Sequence, residues 1–224
     1  ERMRPRTRGV LAVVMLLLAG LHTHVFMKGA PIRARQETLH AIVHSLFPQP
    51  VPYIDCCSML PSFPKHGFFM SHKGGADYRR HAQPVMRDLL ERHVPVFVLA
   101  NHPWLMDAFT PMPADVSLLL QEDLDTLHNN YLPVVGQIHV AGKRLPVSLQ
   151  DSQVDMLIPG PYQLQSMAPV VINDVEHPPQ AVVKLPKGRL TLSSEVNQVI
   201  VLRWHTGAKP PPVGWPQGSL IPHL

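Results

Sequence analysis

Chemistry in this 224-residue chain must come from few side chains, because Asp, Glu, Lys and Arg together make up only 16% of it. Asp55 lies at the end of the apolar run PVPYIDC (50–56), and Asn101, His102 and Trp104 follow a second run, VPVFVLA (94–100). If both runs are strands, these residues stand at neighbouring strand ends, where polar groups in α/β folds face a ligand. An acid beside an aromatic ring suits a sugar. Asp55, Asn101, His102 and Trp104 are therefore the candidate ligand-binding residues. The competing roles are a loop cap for Asp55 and a core filler for Trp104.

Other constellations are weaker. Asp123-Leu124-Asp125 spells D-x-D, a pattern that holds a divalent cation through hard oxygen ligands in some nucleotide-sugar transferases. Here it falls within a predicted helix, where residues two apart point to different faces. His40 and His44 are one helical turn apart, but Ala41 stands where H-E-x-x-H needs its glutamate, so a solvated face is expected. Cys56 and Cys57 are adjacent, which disfavours a disulfide between them and supplies no zinc set; two buried or semi-buried thiols are expected. No G-x-S-x-G, P-loop or Rossmann fingerprint occurs. No catalytic residue, metal or cofactor is expected in this chain.

The elements that must position these residues can be read from periodicity. Leu39, Ile42, Val43 and Leu46 predict an amphipathic helix over 33–47, ended by Pro48. A short strand follows at 50–56, then a loop over 58–75. A helix around Val85, Met86, Leu89 and Leu90 precedes the strand at 94–100, which together predict a βαβ unit with a parallel pair. A further helix is expected over 113–130. Beyond it the helical period is lost. GQIHVAGKRLPVSL reads as a hairpin turning at AGK, and short strand runs recur about every ten residues to 205, as in a small antiparallel sandwich. The 25 prolines, about twice ordinary usage, exclude a helical bundle.

Charge and hydropathy bear on location. The formal charge is +4 with a pI near 9.3, yet residues 1–9 alone carry a net +3, leaving +1 for the remainder. No folded basic surface for nucleic acid can be built from that. Val10–Met27 is an 18-residue apolar run, about 27 Å as a helix against a hydrocarbon core of about 30 Å. Arginines precede it, so by the positive-inside rule the N-terminus is cytoplasmic and the rest is exported. A cleaved signal peptide is the alternative; the lack of an A-x-A-like site in LHTHVFMKGA favours an uncleaved anchor. The chain opens on glutamate, so a fragment or a processed product is expected.

The predicted fold class is thus α+β: an N-terminal transmembrane helix, a small α/β unit and a small antiparallel β-sandwich. The segments are a cytoplasmic flank (1–9), the membrane helix (10–27), the α/β unit (28–130), the sandwich-like domain (131–206) and a proline-rich tail (207–224). A chain begun near Ala30 is expected to fold and stay soluble.

The stretches PVPYIDCCSML (50–60), RHVPVFVLANHPWL (92–105), LPVVGQIHVAGKRL (132–145), IPGPYQLQSMAPVVIND, VVKLPKGRLTLSS and VIVLRW, in this order behind a membrane helix, give a layout. It resembles the C-terminal part of bacterial membrane glycosyltransferases of the GT-C type, relatives of the lipid-linked sugar and protein mannosyltransferases. The resemblance covers roughly residues 10–205. It implies the last membrane helix plus a periplasmic domain at the bacterial inner membrane, with the lipid bilayer and a polyprenyl-phosphate sugar or glycan acceptor as partners. Members of that family carry the catalytic aspartate in an early outside loop that has no counterpart here, so no residue of this chain inherits the catalytic role. The alternative is a stand-alone membrane-tethered module that binds glycan or protein. A hydrolase released by signal cleavage is the third reading.

Overall fold

The computed structural model describes residues 34–67, 72–110 and 117–207, together with residue 15. The membrane segment expected at 10–27 otherwise lies outside the described residues, as do the flank at 1–9 and the tail beyond Gly207. Among the described residues no helix is long and apolar enough to cross a membrane.

Helix α1 spans 34–46 and buries Leu39, Val43 and Leu46, the stripe its spacing predicts. Next come β1 (Tyr53–Ile54), α2 (His72–His81), α3 (Met86–His93) and β2 (Phe97–Leu99). The expected parallel pair forms, with Tyr53 opposite Phe97 and Ile54 opposite Val98. The strands are shorter than their apolar runs because prolines interrupt both ladders, at Pro52 and Pro95. Two differences from the sequence reading occur here. The segment expected to be loop as far as residue 75 already contains α2. The helix expected from 113 is α5 (Gln121–His128) within the described residues, preceded by the short α4 (Pro103–Met106).

The remainder is antiparallel: β3 (Tyr131–Val135), β4 (Ile138–Val147), β5 (Ser152–Met156), β6 (Gly160–Gln165), β7 (Val170–Ile172), β8 (Val175–His177), β9 (Val182–Leu185), β10 (Gly188–Ser193) and β11 (Gln198–Trp204). The fold is mixed α+β and mostly β. A seven-stranded sheet runs β1-β2-β4-β11-β6-β9, with β3 also paired to β4, and a four-stranded sheet runs β5-β10-β7-β8.

The hairpin expected to turn at AGK does not form. Ala141, Gly142 and Lys143 lie inside β4, and the turn is at Gly136-Gln137. Gly142 serves close packing instead: a Cβ there would come within 2.7 Å of both the Leu132 side chain and the Leu202 carbonyl oxygen.

Two apolar clusters form the core. One joins α1 to β1, β2 and the start of β4, where Phe97 stacks between Phe47 at 4.8 Å and Tyr53 at 5.0 Å. The other gathers the inner faces of both sheets with α3, α4 and α5. Strand β4 belongs to both. Its first residues pair with β2, and its later ones, Gly142 to Val147, pair with β11.

Candidate functional site

The four predicted residues converge at the C-terminal ends of β1 and β2, and a hydrogen bond ties the two ends together. The Cys56 amide donates to Asn101 Oδ1 at 3.2 Å. Asp55 and Asn101, however, are wholly buried. Asp55 accepts from the Ser58 amide at 2.8 Å, the Met59 amide at 2.7 Å and the Tyr53 hydroxyl at 3.2 Å. Lys65 Nζ stands 3.6 Å from the carboxylate. The carboxylate thus holds the sharp turn after β1, where Ser58 adopts φ +53°. Burial, and then the Asp55 charge, hold the Tyr53 hydroxyl well above its ordinary pKa, so it remains a proton donor.

Asn101 orders the junction in the same way, and its Nδ2 is buried with no acceptor among the described residues. His102 is the N-cap of α4. Its Nδ1 lies 3.4 Å from the Trp104 amide, and the two rings meet edge to face at 5.6 Å. Trp104 is half-buried and packs over Gly75 of α2, leaving no room for a Cβ there.

The remaining motifs also resolve into structure. In α5, Asp123 is buried and Asp125 exposed, so the D-x-D pair diverges. Asp123 accepts from the Val85 amide at 2.9 Å, the Met86 amide at 2.7 Å and the Tyr78 hydroxyl at 2.7 Å. It caps the first turn of α3 from another element, supplying the acceptor that the aliphatic N-cap residue Val85 lacks. His44 lies against Ser62 at 3.3 Å and edge-on to Phe63. No group of three or more metal-ligating side chains exists among the described residues. Cys56 is buried, whereas Cys57 is exposed rather than semi-buried as expected. Burial, then the neighbouring Cys57, pushes the Cys56 thiol up to about 12, which leaves it inert at neutral pH.

Sequence reasoning missed a cleft of about 730 Å³ lined by α5, β3, β4 and β5. Lys143 and His139 line it from β4, with Phe109, His128, Tyr131 and Asp155 around them. Phe109 and His139 stack at 3.8 Å. Lys143 Nζ donates to the Asn129 carbonyl at 3.1 Å, at the C-terminal end of α5. Burial lowers its pKa to about 8, with the Asp155 charge opposing the shift. The signal for this cleft was the alternation His139, Ala141, Lys143, Leu145 along one strand face, which the assumed AGK turn broke. No family model, curated protein or solved structure matches this chain.

Proposed function

We propose that this chain is the exported, non-catalytic C-terminal region of an inner-membrane glycosyltransferase that uses a lipid-linked sugar, with the α/β and sandwich-like parts supporting the acceptor. The observation that carries this reading is how the buried carboxylates are used. Asp55 and Asp123 both accept backbone amides in closed, buried positions, so neither is presented to a substrate. A frame of this kind positions surfaces rather than bonds in the making. The cleft beside Lys143, with the Phe109–His139 stack as one wall, offers a glycan acceptor both planar and polar contacts. The bilayer and a polyprenyl-phosphate sugar or glycan acceptor are the partners this reading requires.

Two experiments test it. The genomic DNA upstream of the Glu1 codon should encode further spanning segments in frame, with an aspartate in the first outside loop. A start codon immediately before Glu1 would overturn the reading in favour of a stand-alone tethered module. The full chain in lipid vesicles should transfer no sugar from polyprenyl-phosphate or nucleotide donors, and turnover would sink the assignment. Asp55→Ala should then act on stability alone, costing about 2–4 kcal/mol in urea unfolding through stranded amides.

A further inference from the structure

Strands β4 and β11 are registered so that Arg203 lies opposite Gly142 and Val201 opposite Arg144. Arg144 and Arg203 are therefore diagonal neighbours on one face of the seven-stranded sheet, with Cβ atoms about 7 Å apart. This face is opposite the one bearing Lys143 and Leu202. On the other side of β11, Gln163 stands opposite Arg203 and Gln165 opposite Val201, which brings both amides to the same face.

Neither arginine has a carboxylate partner among the described residues. Arg203 is half-buried, and its Nε is buried without any acceptor among the described residues. Its ionised form is disfavoured first by burial and then by the Arg144 charge. Two like charges held side by side on rigid strands, one with an orphaned N–H, form an unfavourable arrangement by themselves. A bound oxyanion offsets the repulsion, because each guanidinium presents a planar fork of donors that matches carboxylate or phosphate geometry. Arg203 meets it through its terminal nitrogens or by turning the buried Nε outward.

We propose that Arg144 and Arg203 form a receptor for a compact oxyanion, a carboxylate or phosphate group carried on a hydroxylated small molecule, with Gln163 and Gln165 facing the hydroxyls. This site is separate from the strand-end cluster but shares Arg144 with the cleft beside Lys143. Anion binding at the arginine pair does not require that the chain belong to a glycosyltransferase.

The test follows the arginine Nε–H resonances of the ¹⁵N-labelled full chain in detergent micelles, with Arg203 assigned from their loss in Arg203→Lys. Titration with inorganic phosphate or glucuronate should shift the Arg203 resonance saturably, and equimolar glucose should not. Tighter binding of phosphate would identify a phosphorylated ligand, and tighter binding of glucuronate a sugar acid. Arg144→Gln should weaken the response at least about tenfold, the loss expected for a charge-assisted partner. The same variant without ligand should melt no lower than the parent, because it removes a repulsion. The proposal is overturned if neither anion gives a saturable shift up to about 50 mM, which would fill even a millimolar site. It is equally overturned if glucose matches them, if Arg144→Gln binds as well as the parent, or if that variant melts lower without ligand.

Discussion

His139 shows how one buried ring can set the acid limit of the fold. It stacks on Phe109 at 3.8 Å, and its Nδ1 lies 3.3 Å from the Gln137 carbonyl. Burial lowers its pKa to about 4, outweighing the opposing pull of that carbonyl. The folded protein therefore keeps His139 neutral, whereas the unfolded chain protonates it near its ordinary value of about 6.5. As pH falls through that value the unfolded state takes up a proton that the fold refuses. Stability should then decline by up to about 1.4 kcal/mol per pH unit until the folded ring itself titrates near pH 4. His66, lowered by burial and by the His93 charge beside it, adds to the same slope. His139→Phe keeps the stacked ring, and the Gln137 carbonyl retains the Ala100 amide at 2.8 Å. Urea unfolding of this variant should show a slope between pH 6.5 and 4 that is shallower by about one proton. Parallel slopes in variant and parent would refute the assignment.

At the scale of elements, the contact of α2 with α4 decides a substitution whose sign propensity alone would misjudge. Exchanging glycine for alanine inside a helix ordinarily gains about 1 kcal/mol. In α2, however, a Cβ on Gly75 would lie 2.0 Å from Cη2 of Trp104. Gly75→Ala should therefore destabilise by about 1–3 kcal/mol, the cost of overpacking a rigid ring. Trp104→Leu in the same chain should recover most of that loss, and a double-mutant cycle by thermal melting would measure the coupling. Additive effects would mean that the ring moves aside freely. The same contact explains why α2 escaped the sequence reading. Gly74-Gly75 spells a turn by local rules, and the partner that makes a helical glycine useful lies 29 residues away in the sequence. Gly142 repeats the lesson in β4, where Leu132 and Leu202 fill the space that made it look like a turn. By contrast, α1 and the parallel β1–β2 pair were legible, because their patterns depend on apolar spacing and on nothing distant. Asp55 and Asn101 were legible as strand-end residues but not as buried ones. Their hydrogen bonds run to backbone amides, which carry no mark in the sequence.

For the whole molecule, the decisive feature is that β4 serves two cores. Ile138 and Val140 pack with α1, β1 and β2, while Ala141 and Val147 pack with the inner faces of the two sheets. The sheet crosses the 130/131 boundary drawn from the loss of helical periodicity, since β2 pairs with Ile138 to Val140. Losing either core removes a neighbour from the same strand, so the two should melt together. Trp204 packs against both cores, whereas Trp104 seats against α2, whose Tyr78 belongs to the second core alone, so only Trp204 would sense an independent melting of the first. With Trp215 and one of this pair replaced by Phe, each remaining tryptophan should give the same urea midpoint as far-UV circular dichroism. Separate midpoints would mean that the cores are independent and that β4 is only a tether. A chain begun at Ala30 retains both cores, and it should reproduce that single transition without lipid. Failure to fold there would place part of the stabilising contact in the segment before Ala30. Either core would then depend on the chain before Ala30 rather than on β4 alone.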